Sequence, residues 1–309
     1  MPPRRPAPSL LRIKIVTATT ADVDMFIHAY RVGLGYRLRE EGRVPAALAA
    51  GWGAPASAGK RYALLASDTA PDVFVRVIES TPVTGYRPLF SFGWNAFEIV
   101  VDDVHAIRLQ LEGGPFQIIG EPRPLTARQT VHAMQVIGPG QEVLYLTSET
   151  GDRAESPLPA PNGPIGRPFI VVLGGPDIVA MRDFYADVFG VAANPIRASR
   201  GQTVQRAWGG TVDGTHPISL VRFREHGNSI ELNGYVKPGL SARTRADGEL
   251  PPGNAFASFS VPSLDDCNVA FLQPVGPGAG LAYSDARTGT FLGPAGELVE
   301  LLEEPERIV

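Results

Sequence analysis

The sequence predicts an α+β protein built from four β-α-β-β-β units. Three observations carry that expectation: an internal repeat at a constant offset of 155 residues, apolar runs of strand length, and acidic helix starts directly after two of those runs. Asp22 and Asp177 open matching segments, one running on to Tyr30 and Leu34-Gly35, the other to Phe184-Tyr185 and Phe189-Gly190. The run GPGQEVLYL from Gly138 answers GPAGELVEL from Gly293 at the same offset. A chance match does not hold one spacing over so much sequence. WNAFEIVVDD from Trp94 and GNAFASFSV from Gly253 also correspond, with a drift of about four residues.

Taken in order, residues 12–18 form an apolar strand and Asp22 starts a helix. In that helix Val23, Phe26, Ile27, Tyr30 and Leu34 make one stripe at i, i+3, i+4, i+7 spacing, which ends at Gly35. Residues 44–53 read as a short apolar helix with Trp52 near its end. Further strands are expected at 61–66, 72–78, 96–101, 130–136 and 142–147, and in the second half at 168–173, 218–224, 255–261 and 297–303. Each half then contains strand, helix and several strands, twice over. Residues 225–253, punctuated by glycine and proline and containing Tyr235, read as a long connection. The Pro/Gly-rich stretch 151–166 reads as a linker between a first domain, 10–150, and a second, 167–305.

A chain of 309 residues with 44% hydrophobic content can bury a sizeable core in two domains. With 28 Lys+Arg against 32 Asp+Glu, the net charge of −4 offers no general attraction to phosphate backbones or anionic lipid, which argues against nucleic acid and membrane partners. The single cysteine, Cys267, allows no internal disulfide and no cysteine-ligated zinc. No apolar run approaches the roughly 20 residues of a membrane helix, and the start MPPRRP lacks the apolar stretch of a signal peptide, so a cytoplasmic protein is expected. Only three of the basic residues are lysines (Lys14, Lys60, Lys237), which with abundant Ala, Gly and Pro points to a GC-rich bacterial genome.

The helix with Asp, Phe-Tyr and Leu-Gly, the apolar strand entering Asp-Asp or Ser-Leu-Asp-Asp, and the GPAGELVEL ending resemble the vicinal oxygen chelate superfamily. That group includes glyoxalases, fosfomycin and bleomycin resistance proteins and extradiol dioxygenases, and the resemblance runs from about residue 12 to 303. It implies two glyoxalase-like domains with cupped mixed sheets, a small-molecule ligand and a homodimer that covers the open sheets. It also implies a divalent metal held by His or Glu from the first strand, His from the middle strand and Glu from the last. The chain departs from that ligand set. Counting back from Asp22 and Asp177, the first positions hold Ile15 and Ile170; the middle ones hold Ala96 and Phe256, or Phe97 and Ala255. The last positions hold Tyr145 and Glu300. Apolar side chains bind no metal, so neither a metal nor another cofactor is expected.

Strand alternation places Ala96, Glu98 and Val100 on the cup face, with Phe97, Ile99 and Val101 against the helix. Glu98 is then an acid among apolar neighbours, suited to general acid/base work if buried without a cation; an arginine partner or a wet strand edge is the structural alternative. Glu300 is a second acid/base candidate, weighed against an ion pair with an arginine such as Arg287. Tyr145 is a candidate hydrogen-bond donor, and His132 is the one histidine expected inside a strand. His28 and His105 fall on outer helix faces, and His216 and His226 in loop-like sequence. Thr17, Trp52, Trp94, Phe256, Ser258 and Ser260 are candidate ligand contacts, and Trp208 is a further aromatic. Glu98, Tyr145, His132 and Trp52 are expected around one cup in the first domain. No triad, zincin, P-loop or dinucleotide signature is present. Three functions stay open: a metal-independent lyase or isomerase acting on a small apolar or aromatic molecule, a protein that sequesters such a molecule without reaction, and a metal-dependent lyase or extradiol-type dioxygenase.

Overall fold

A computed structural model describes residues 9–305 except 126, 127, 192, 193, 212, 236 and 238. The first unit comprises β1 (Arg12–Thr20), α1 (Val23–Leu34), β2 (Arg37–Arg43), α2 (Ala46–Gly51), β3 (Arg61–Ala66) and β4 (Phe74–Glu79). The second comprises β5 (Gly93–Val101), α3 (Val104–Gln110), β6 (Gln117–Pro124), β7 (Val131–Ile137) and β8 (Val143–Glu149). The third comprises β9 (Ile165–Gly175), α4 (Ile178–Phe189), β10 (Arg197–Ser199), α5 (Gln202–Ala207), β11 (His216–Arg222) and β12 (Ser229–Gly234). The fourth comprises β13 (Gly253–Val261), β14 (Gly276–Pro277), β15 (Arg287–Leu292) and β16 (Leu298–Glu303).

The repeated helices are capped as the sequence suggests. The Asp22 side chain accepts from the Met25 amide at 2.9 Å, and Asp177 accepts from the amides of Val179 and Ala180. Gly35 and Gly190 end the two helices at φ 63° and 61°, a left-handed conformation that glycine adopts without a Cβ clash. The fourth unit has no helix: Asp265 and Asp266 stand in turns between β13 and β14, and Phe271 instead bridges to Phe291 at the sheet edge.

The strands form two eight-stranded sheets, and each sheet joins units from both halves of the chain. One runs β14-β15-β16-β13-β1-β4-β3-β2 and takes the first and fourth units; the other runs β10-β11-β12-β9-β5-β8-β7-β6 and takes the second and third. The seam of the first sheet is the antiparallel β1·β13 pair, that of the second β5·β9. Each cup is thus completed by strands of the same chain. The faces turned away from the cups carry the shared core, where Phe97, Ile99 and Val101 meet Phe259 and Trp94.

Candidate functional site

Cross-strand register sets four equivalent pairs on the cup floors. In the first sheet Thr17 lies beside Arg76 and Ser258 beside Glu300; in the second Val172 lies beside Glu231 and Glu98 beside Tyr145. The floor positions in β1, β9 and β13 are therefore Thr17, Val172 and Ser258 rather than Ile15, Ile170 and Phe256; in β5 the floor residue is Glu98 rather than Ala96. Each lies two residues further along the same strand face.

The first cup is filled by an ion pair. Arg76 donates to Glu300 Oε2 at 3.3 Å, to the Tyr283 hydroxyl at 2.5 Å and to Thr17 Oγ1 at 3.0 Å. Glu300 also accepts from Ser258 at 2.6 Å, from Tyr283 at 2.9 Å and from the Trp52 indole at 2.8 Å. The guanidinium lies 4.7 Å from the ring centres of both Trp52 and Phe256, so its charge is balanced by a carboxylate and two π faces. Arg76 is 3% exposed and Glu300 0%, and a residual cavity of about 20 Å³ beside Tyr62, Leu64 and Trp52 has room for little more than one water. Glu300 thus has an arginine partner, but it is Arg76; Arg287 binds Asp265 and Glu303 at the surface.

The second cup holds the same positions without a cation. Glu98 is 7% exposed, and its only side-chain bond among the described residues comes from Thr147 at 3.0 Å. Burial pushes the Glu98 carboxyl well above the usual carboxylate range, the nearby charge of Glu231 adds to this, and the Thr147 bond opposes it. Burial raises Glu231 as well, against a bond from Asn233 Nδ2 at 2.8 Å. Asn233 in turn pairs with His216 Nε2, so His216 belongs to the site rather than to a loop. The walls are a separate apolar cluster of Leu89, Ala96, Val143, Val172, Val204, Trp208 and Tyr235, with Phe90, Tyr145 and Ile170 partly exposed against it. Unlike the first floor, this one is reached by solvent at Glu231 and Tyr145.

The structure thus brings Glu98 and Tyr145 together, and it gathers Thr17, Trp52, Phe256, Ser258 and Glu300 in the other cup. Trp52 does not join Glu98, because β1–β4 and β5–β8 lie in different sheets. His132 is not in a cup at all. It sits opposite Ser148 on the helix side of β7 and meets His105 of α3 at 2.9 Å between ring nitrogens near the surface. Trp94 packs between the sheets, its ring edge-on to Phe259 and its indole donating to the Leu298 carbonyl at 2.7 Å. Ser260 is buried beyond Ser258, its hydroxyl without a partner among the described residues. Sequence reasoning missed Arg76, Glu231, Asn233, His216 and Tyr283.

The donors on the two floors do not fit the divalent metal that the resemblance implies. The first floor carries a guanidinium; the second offers two carboxyls, a phenol and a valine. Among the described residues no three His, Cys, Asp or Glu side chains converge in a way that could hold an ion.

No protein-family model and no curated protein matches the sequence. Solved structures do match the fold. Glyoxalase I from Zea mays is 17% identical, covering 94% of this chain and 92% of that one, with a TM-score of 0.61. A mutant of the same enzyme aligns over the same shares at a TM-score of 0.63. A candidate dioxygenase from Bacillus subtilis is 14% identical over 97% of this chain and 87% of that one, at 0.60. The class is an α+β protein of paired cupped sheets. More narrowly, the fold is like that of these glyoxalase and dioxygenase structures.

Proposed function

We propose that the second cup takes a small, largely apolar or aromatic molecule and moves a proton on it with Glu98 and Glu231, without help from a metal, as an isomerase or lyase would. The observation that carries this reading is the carboxyl pair itself, set on an apolar floor with amide and hydroxyl donors and no cation among the described residues. Two like charges in a low-dielectric site do not both ionise readily near neutrality, so the pair holds one proton between two carboxyls: one member is poised as acid, the other as base. Burial keeps the Tyr145 phenol protonated, which suits it to donate to an oxygen that gains charge when a neighbouring carbon loses a proton. The buried thiol of Cys267 suits a reducing compartment, and among the described residues no helix is long and apolar enough to cross a membrane.

The test is deuterium uptake. Small aromatic and aliphatic carbonyl compounds incubated with the protein in D2O should gain label at an acidic carbon, and Glu98→Gln should abolish the uptake while ligand binding survives. Binding without uptake in the wild type would replace the enzyme by a sequestering protein.

A further inference from the structure

Within the reading of the second cup as a small-molecule site, we infer that its ligand carries a protonated amine on an aromatic or apolar body. The charged groups on the floor, among the described residues, are two carboxyls and no cation. Glu98 uses one oxygen for Thr147 and Glu231 one for Asn233, which leaves an oxygen of each without a partner among the described residues. Because Asn233 Nδ2 donates to Glu231, its Oδ1 faces His216 Nε2 as acceptor; Nε2 therefore carries the proton and Nδ1 the lone pair. That Nδ1 is buried without a partner among the described residues, but it lies against Gly201, where a Cβ would fall 2.9 Å from it, and not on the floor.

Asn95 repeats the pattern. Its Nδ2 is spent on the carbonyls of Ser91 and Gly93 at 3.0 and 2.8 Å, and its buried Oδ1 has no partner. The Tyr235 hydroxyl, also buried and without a partner among the described residues, can donate as well as accept. Tyr235 and Asn95 meet over Gly174 of β9, where a Cβ would fall 2.3 Å from the Tyr235 ring and 2.7 Å from Asn95 Nδ2. Any side chain there would displace both. Trp208 stands edge-on to Tyr235 at 4.8 Å, so the acceptors are flanked by aromatic rings.

Among the described residues no basic group bonds either carboxyl. Arg87 and Lys237 are held on the ring of Phe90, at 4.0 and 5.7 Å from its centre, and Lys237 also donates to the Trp208 carbonyl. Arg243 is spent on Ser91, Trp94, Pro252 and Asn254. In the free protein a shared proton neutralises part of the charge of the Glu98–Glu231 pair. An alkylammonium brings one positive charge and three donors to the same place, with its hydrocarbon body against the rings.

Titration calorimetry with two isosteric probes, 2-phenylethylamine and 2-phenylethanol, tests this at pH 7 on the full chain. The amine should bind about tenfold or more tightly than the alcohol, the advantage of a hydrogen-bonded charge over a neutral group. Glu231→Gln should remove most of that preference. An alcohol that binds as tightly as the amine in the wild type overturns the inference and leaves the cup reading standing. If neither probe binds, the reading of this cup as a small aromatic site falls, and the inference with it. The wild-type comparison decides both points whether or not the variant folds.

Discussion

The phenol of Tyr30 donates to Glu142 Oε1 at 3.1 Å across 112 residues, and 155 residues further on Tyr185 makes the same bond to Glu297 at 2.7 Å. In both places the other carboxylate oxygen folds back onto its own turn, onto the amide of Gly140 or of Ala295 at 2.8 Å. Each bond therefore ties the helix of one unit to the last turn of the next. It explains why Tyr and Gly-Pro-x-x-Glu recur at one offset: they are a structural latch, remote from either cup floor.

The latch makes stability depend on pH. Burial pushes Glu142 up to about 8 and Glu297 up to about 7, against the bonds each accepts. Both folded values lie above the ordinary carboxylate range, so between about pH 4.5 and 8 the folded state holds more protons than the unfolded one, and its stability falls as pH rises through that window. Thermal unfolding should show a midpoint declining from pH 5 to 8. Glu142→Gln, which cannot ionise, should flatten the decline.

Arg76 and Glu300 are expected to act as a unit of stability. Arg76→Met alone leaves Glu300 buried without its cation and should cost about 3–5 kcal/mol in denaturant titrations. Arg76→Met combined with Glu300→Leu removes both charges and should recover most of that loss. A single substitution that costs nothing would mean that the pair is not sealed as described.

Only part of this site, Glu98 beside Tyr145, was legible in the sequence. Alternation along β5 was enough to set Glu98 facing the cup with Phe97 and Ile99 behind it, because a central strand with one apolar face has only one tolerable phase. Glu231 was hidden in a six-residue strand framed by Gly227 and Gly234 and read as part of a connection. The signal was present, since Ile230 and Leu232 alternate with Ser229, Glu231 and Asn233, and the 155-residue offset sets Glu231 against Arg76. What the sequence could not supply is which units share a sheet. All four have similar strands, and only the packing shows that the second joins the third, so that Trp52 meets Glu300, 248 residues away, rather than Glu98.

The floor donors predict that purified protein carries no stoichiometric transition metal, and that chelators leave its unfolding midpoint unchanged. Elemental analysis that finds about one zinc, iron, manganese or nickel per chain overturns this. Substitution of His132, which faces His105 outside both cups, should leave ligand binding unaffected.

The last prediction concerns which cup works. Both contain a glutamate once expected to act as a base, but all four equivalent floor positions differ, and Arg76 in the first cup stands where Glu231 stands in the second. A carboxylate held by a guanidinium, a tryptophan indole and two hydroxyls has no free lone pair turned toward a ligand and no open space in front of it. Glu98 has a raised proton affinity, an apolar cluster around it and solvent reaching its neighbours Glu231 and Tyr145. Glu98→Gln keeps the size and much of the hydrogen bonding, so it should lower turnover or deuterium uptake by roughly 10²- to 10⁴-fold with little loss of binding. Conservative changes at Glu300 should act through stability alone, with activity per folded molecule near wild type. Should Glu300→Gln abolish turnover in folded protein while Glu98→Gln leaves it intact, the working site is the sealed cup, and the Arg76–Glu300 pair must open to admit its substrate.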